Sequence, residues 1–342
     1  MSVYTSKVDR IDNNSRMPKY RQVVNTILSD IQNDLFKPGE RIPSINETSE
    51  EYYLSRDTVE KAYRELSRRG IISSVPGKGY YVNPAAAIRK RKVLAVFNKL
   101  SGYKQVIYDE IVRQLGKHAI CNLYVHRYNL QFFENLILDS LGEYYYYMLM
   151  PHFYDQMGEA VKVIKKIPKN KLIILDREIG KLGGTFGTVY QDFSKDIDDA
   201  LTSGLDLIEK YQKLILVTSQ KERFPQEVAD GFVSFCLKND KKYEIVDDLH
   251  QHQLSKGEAY LVQQEADLVQ MIKMVRKSSL TLGKDLGIIS YNDSPLKEVL
   301  GGGITVVTTD HTEMGRSAAR MILDKTREKV RNPFTMIRRN SL

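Results

Sequence analysis

The sequence predicts an α/β protein in two parts: a short helical front segment closed by a β-hairpin, and a longer region of parallel sheets with helices on both faces. Three observations carry this. Between Arg41 and Gly79, cap residues and an apolar stripe mark two short helices, a tight turn and a hairpin. From Val93 onward, apolar runs of strand length alternate with stretches of helical periodicity. The chain has 342 residues, 42% of them apolar, which suits two or three domains with substantial cores.

In the front segment, Val24, Ile27, Leu28, Ile31 and Leu35 trace a first helix from Lys19, ended by Lys37-Pro38-Gly39. Ser44 followed by Glu47 is a capping box, so a second helix is expected from Ile45 to about Tyr52. Ser55 caps a third, in which Val59, Ala62, Tyr63 and Leu66 share one face and Arg56, Asp57, Glu60, Lys61, Arg64 and Arg68 lie on the others. Gly70 ends it. The β-rich runs Ile71 to Val75 and Tyr80 to Val82 are joined by Pro76-Gly77-Lys78-Gly79, a hairpin with a cation at its tip. Helix, turn, helix and basic-tipped hairpin make the winged helix-turn-helix pattern, whose expected partner is duplex DNA. Charge agrees: residues 1–92 hold 17 Lys+Arg against 11 Asp+Glu, which is +6 of the chain's net +8.

Through Tyr20, Pro38-Gly39, Arg41-Ile42-Pro43-Ser44, Ser55-Arg56-Asp57-Thr58-Val59 and Gly77-Lys78-Gly79-Tyr80-Tyr81-Val82, residues 17–82 resemble the DNA-binding domain of the GntR family of bacterial transcriptional regulators. The resemblance implies that Ser55, Arg56 and Thr58 approach bases and phosphates in the major groove and that the tip from Gly77 through Lys78 to Gly79 reaches into the adjacent minor groove. Arg41, Ser44, Asn46 and Lys61 complete the expected interface. Physical chemistry points the same way for Arg56, because a helix N-terminus favours phosphate and a guanidinium pairs with O6 and N7 of guanine. Asn46 and Glu60 depart from the family, many of whose members have Arg at both places. Glu60 either accepts from a cytosine amino group or faces water, and Lys61 and Arg64 are candidates for phosphate contacts. Arg68 and Arg69 read as helix C-terminal charges.

The expected domains are residues 1–82, a winged head with an N-terminal arm; 83–92, a linker with the basic cluster Arg89-Lys90-Arg91-Lys92; and 93–342, two α/β lobes. Expected strands include 93–97, 120–125, 144–150, 172–175, 185–189, 214–217, 243–246, 259–262 and 286–291, with helices between them, one running 193–210. The run Tyr144 to Tyr147 reads as a buried strand, with a base-stacking platform as the lesser reading.

Through Leu172 to Asp176, Val189-Tyr190-Gln191-Asp192, the stretch Leu282 to Leu296 with Tyr291-Asn292-Asp293, Val306 to Asp310 with Glu313-Met314-Gly315, and Ile337-Arg338-Arg339-Asn340-Ser341, this region resembles the effector domain of the LacI family, which is similar to periplasmic sugar-binding proteins. It implies a two-lobed, periplasmic-binding-protein-like fold with a small-molecule effector, a monosaccharide or sugar phosphate, held where strand C-termini of both lobes converge. Candidate effector residues at strand ends are Asn98, Asp176, Gln191, Gln264, Glu265, Tyr291 and Asn292. Gln264-Glu265 takes the place of a family Asn-Asp pair and Asn292 that of its first Asp. The family's Arg in Arg-x-x-Gly is absent, since Val228 precedes Gly231, and Arg223 is the candidate substitute. Lys99 is a second cation for an anionic sugar, and His311 lines the cleft or caps a helix.

The expected molecule is a repressor whose effector adjusts its grip on an operator, acting as a homodimer because a single head makes few phosphate contacts. The residues leave two other readings open: a GntR-type head joined to a pyridoxal-phosphate aminotransferase-like domain, and a ligand-independent DNA-binding protein. No zinc-protease, Walker, dinucleotide or nucleophile-elbow motif is present, so no catalytic residue and no cofactor is expected, and His250-x-His252 lacks further metal ligands. Cys121 and Cys236 read as buried apolar residues. No run approaches roughly 18 apolar residues, and no signal-peptide core is seen, so the expected location is the cytoplasm.

Overall fold

The computed structural model describes residues 11–13, 17–32, 35–84, 91–153, 155–180, 182–218, 225–249 and 252–342. In the head, α1 (Lys19–Gln32) buries Val23, Val24 and Ile27. Leu35 falls outside this helix and is 58% exposed, contrary to the periodicity. Its amide donates back to the Asp30 carbonyl at 2.9 Å, which closes the helix end and turns the side chain outward. A short strand β1 (Arg41–Ile42) precedes α2 (Ile45–Tyr52), whose capping box is complete: Glu47 N donates to Ser44 Oγ at 3.2 Å and Ser44 N to Glu47 Oε2 at 2.6 Å. The recognition helix α3 (Arg56–Arg68) starts on Ser55, whose Oγ accepts from Thr58 N at 3.3 Å, and buries Val59, Ala62, Tyr63 and Leu66. Gly70 leaves it at φ +65°. The wing is β2 (Ile72–Val75) and β3 (Gly79–Val82), antiparallel, and β1 adds a third strand on β3 that two residues were too few to announce.

Next come β4 (Arg91–Phe97), α4 (Gly102–Leu115), β5 (Ala119–Val125), α5 (Leu130–Ser140), β6 (Tyr146–Leu149), α6 (Met157–Ile164), β7 (Leu172–Asp176) and β8 (Gly187–Tyr190). They are followed by α7 (Phe193–Ser203), α8 (Leu205–Ile208), β9 (Lys213–Val217), α9 (Gln226–Lys238), β10 (Lys242–Val246), β11 (Glu258–Val262), α10 (Glu265–Lys277), β12 (Leu286–Tyr291), α11 (Pro295–Val299), β13 (Thr305–Thr309), α12 (His311–Leu323), β14 (Lys329–Arg331) and β15 (Phe334–Ile337). Two six-stranded sheets result, ordered β14-β8-β7-β6-β4-β5 and β10-β9-β11-β12-β13-β15. β8 pairs in parallel with β14 and β7, β4 with β5 and β6, β9 with β10 and β11, and β12 with β11 and β13, while β15 runs antiparallel to β13. The α/β expectation with parallel sheets holds.

Alternation along the strands of the second sheet sorts side chains onto two covered faces. Leu214, Leu216, Ala259 and Leu261 meet Val228, Phe232 and Phe235 of α9, while Ile215, Val217, Tyr260 and Val262 meet Leu268, Met271 and Val275 of α10. Because both faces are buried, the strands read as continuous apolar runs. The expected helix 193–210 is broken at Gly204, where an added Cβ would lie 2.3 Å from Met336 Sδ, so β15 occupies the space a side chain would need. The Tyr144 to Tyr147 run is buried throughout and offers no platform for bases. Cys236 is buried and Cys121 half-buried, and burial pushes both thiols up to about 12.

The described residues fall into two compact units. One comprises those within 1–98, 115–172 and 181–184; the other those within 99–114, 173–180 and 185–342. Among them no helix is long and apolar enough to cross a membrane.

Candidate functional site

Several polar side chains of the head face solvent. Ser55, Arg56 and Asp57 are exposed at the start of α3, as are Asn46 on α2 and Gly77 and Lys78 at the wing tip, with Ser44 half-buried. Helix α3 is held from behind: the buried Tyr63 hydroxyl donates to the Pro43 carbonyl at 2.6 Å and lies 2.8 Å from Thr48 Oγ1, fixing α3 against α2 and the chain before it. Ser55 Oγ and Thr58 Oγ1 lie 2.8 Å apart, so Thr58 is tied into the cap. Arg41 reaches the wing, where an added Cβ on Gly79, at φ +104°, would sit 3.3 Å from Arg41 Nε. Lys61 lies 4.4 Å above the Tyr20 ring. Glu60 pairs with Arg64 at 3.2 Å on the surface. Arg68 and Arg69 both donate to Glu65, which holds its carboxyl down at about 2.

A second constellation gathers at strand and helix ends within the larger unit. Asp176 closes β7 at φ +75°, a conformation that Asp tolerates better than most residues. Its Oδ2 lies 3.6 Å from Nζ of Lys104, in the first turn of α4, and both side chains are almost wholly buried. Gln191, just past β8, donates through Nε2 to Asp176 Oδ1 and through its backbone N to the Asp176 carbonyl at 3.1 Å. Thr309 at the end of β13 donates to Gln191 Oε1. Burial pushes the Lys104 amine down, the Asp176 charge opposes this, and Lys99 adds to it. Next to this chain of groups the Tyr103 and His311 rings stack 5.3 Å apart. Tyr291 at the end of β12 is buried, and burial, then the charges of Asp176 and Asp196, raises its hydroxyl.

Asn292 follows at φ +61°, and buried Lys297 donates to the carbonyls of Tyr291 at 3.0 Å and Asn292 at 2.7 Å, which pins the end of β12. Burial holds the Lys297 amine down at about 8. Of the residues chosen from sequence, Asp176, Gln191 and Tyr291 therefore share one neighbourhood with His311. Asn98 belongs to the other unit, where it donates to Tyr128 Oη at 3.0 Å. Gln264 occupies the N-cap of α10 half-buried, and Glu265 beside it is exposed. Arg223 and His250 lie outside the described residues. Tyr103, Lys104, Thr309 and Lys297 were not selected from sequence. The first turn of a helix that follows a strand C-terminus across a short loop is the signal that finds Tyr103 and Lys104.

The His311 environment sets a pH dependence. Burial, helped by Lys104 and opposed by Asp176, lowers its pKa from 6.5 to about 4. Between those values the unfolded chain binds the proton and the folded one does not, so stability falls as pH drops from 6.5 toward 4 and levels off below. The contribution is of order 3 kcal/mol. His311→Gln is expected to flatten the urea-midpoint profile relative to wild type in that window; parallel profiles would show that His311 is not held neutral.

Residues 19–82 match the family model for bacterial regulatory proteins of the gntR family, and residues 211–342 match that of the periplasmic binding protein-like domain. The HTH-type transcriptional repressor YtrA of Bacillus subtilis (strain 168) is 32% identical over 102 residues, covering 29% of this chain and 76% of YtrA. The arabinose metabolism transcriptional repressor of Geobacillus stearothermophilus is 34% identical over 100 residues, 28% of this chain but only 27% of that protein. Among solved structures, the trehalose repressor from Escherichia coli shares the fold over 73% of this chain and 100% of its own, with a TM-score of 0.60 at 12% identity. The chain thus carries, besides the head, a periplasmic-binding-protein-like domain whose match covers the second sheet. The chain belongs to the gntR family of bacterial regulatory proteins, as a DNA-binding transcription regulator that couples a winged head to a periplasmic-binding-protein-like domain.

Proposed function

We propose that this regulator is a homodimeric repressor whose operator affinity is set by a monosaccharide or sugar phosphate, bound at the Asp176 constellation. The observation that carries the reading is the linked set Lys104, Asp176, Gln191 and Thr309 beside an aromatic pair. Charged and amide groups of this kind exchange hydrogen bonds with sugar hydroxyls, and aromatic rings pack on sugar faces. Two similar proteins are described as repressors of arabinose metabolism and of trehalose, which supports a sugar. Arg56 and the wing tip would contact the operator in this reading, with Ser44, Asn46, Ser55, Thr58 and Lys61 around them.

Exposed apolar side chains on edge strands support dimerisation. β10 shows Tyr243 and Ile245, with Leu237 of α9 beside it, and β5 shows Ile120 and Tyr124. The ligand favours one of two states that differ in the spacing of the paired recognition helices; a coupling of about 1–3 kcal/mol gives a 5- to 150-fold change in operator affinity.

The test is a thermal-shift screen of the full chain against monosaccharides and their phosphates, followed by operator binding with any hit. A ligand at about 100 times its Kd is expected to add about 2.7 kcal/mol and raise Tm by several degrees. A screen in which nothing shifts Tm or operator affinity would leave a ligand-independent DNA-binding protein.

A further inference from the structure

The head and the turn between α5 and β6 belong to the same compact unit, and the turn is built as a rigid key. The fully buried Tyr147 hydroxyl, on β6, donates to the Ser140 carbonyl and accepts from Gly142 N at 3.0 Å, so the sheet itself dictates the shape of residues 140–143. The outer side of that turn meets the head. Asn25 on α1 donates through Nδ2 to the Leu141 carbonyl at 2.9 Å. Gly142 has φ +81°, and a Cβ added there would fall 1.8 Å from Asn25 Cγ, so no side chain fits unless Asn25 swings away and gives up its hydrogen bond. Charge flanks the contact: Arg69, just past α3, lies 4.0 Å from Glu143, and Arg21 hydrogen-bonds Tyr20 and feels Asp139 and Glu143. Asn25 lies on the first helix of the head and Arg69 at the far end of the recognition helix, so the contact leaves Ser55, Arg56 and the wing tip open.

We propose that the Leu141–Gly142–Glu143 turn is a docking joint that fixes the head to the sheet of β6, so that the recognition helix is aimed by this contact and not by the linker alone. A displacement of β6 is then passed through Tyr147 and the turn to α1 and α3. The joint depends only on contacts inside one unit, so it stands or falls separately from the identity, or even the existence, of a sugar effector.

Amide relaxation of the full-length protein reads the joint directly. In wild type the head amides are expected to share the rotational correlation time of the rest of the chain. Gly142→Ala drives a Cβ into Asn25 and should release the head, shortening its apparent correlation time roughly twofold, while hydrogen-exchange protection around Tyr63 and Leu66 shows that the head itself stays folded. Should Gly142→Ala disturb the turn, Asn25→Arg makes the same clash from the head's side with the turn intact, and is expected to give the same release. A wild-type head that tumbles independently, or folded variants whose heads remain as slow as wild type, would overturn the joint.

Discussion

Asp176→Ala is expected to cost about 3 kcal/mol of folding stability and to erase any response to a sugar. Removing one member of a buried ion pair takes away the opposite charge that offsets its partner's burial. Here that partner is Lys104, whose side chain is even more buried than that of Asp176. Burial already lowers the Lys104 pKa and Asp176 opposes that drop, so without the carboxylate the folded-state value falls further while the unfolded value stays put. Between the two, the unfolded chain carries the extra proton, so stability of the variant rises with pH across a wider interval than in wild type. The loss should therefore be largest near neutrality and shrink in alkali. Asp176→Asn separates backbone from charge, because Asn tolerates the φ of +75° that Ala resists. Urea unfolding at several pH values measures both variants. A loss below about 1 kcal/mol in each would show that Lys104 finds its compensation elsewhere.

Arg56→Ala is expected to weaken operator binding by about 1–3 kcal/mol and to relax the base preference at the position it contacts. The residue opens α3 with its side chain exposed, immediately after the Ser55 cap that sets the direction of the first turn. It lies on the surface, so stability should hardly change. Lys61→Ala, by contrast, would lower affinity evenly across sequences and reduce the salt dependence, as loss of a phosphate contact does. Binding isotherms on duplexes selected from random sequence by the wild-type protein distinguish the two. Unchanged affinity and preference in Arg56→Ala would remove it from the interface.

The head was legible in the sequence because its determinants are local. A capping box spans four residues, and the α3 stripe repeats every three or four, so both act before any tertiary contact forms. The same applies to the parallel sheets, whose burial on both faces writes continuous apolar runs into the chain. Shorter elements left no such mark. β1 has two residues, and β14 places one Val between basic neighbours, yet β14 and β15 decide how the chain pairs with β8 and β13 at its end. Leu35 shows the converse: its spacing continued the α1 stripe, but the helix had already closed on Asp30.

The strand-end rule selected Asp176, Gln191 and Tyr291, since the C-terminal ends of parallel strands are where polar groups collect. It did not select Lys104, Thr309 or Tyr103, nor could it have found Asn25 facing Gly142. Sequence alone determined the kind of fold and the presence of a DNA-reading head, because caps, stripes and apolar runs act over a few residues. Tertiary structure alone decided which polar groups face one another, because those partners come from distant strands and meet only after the sheets have set their order.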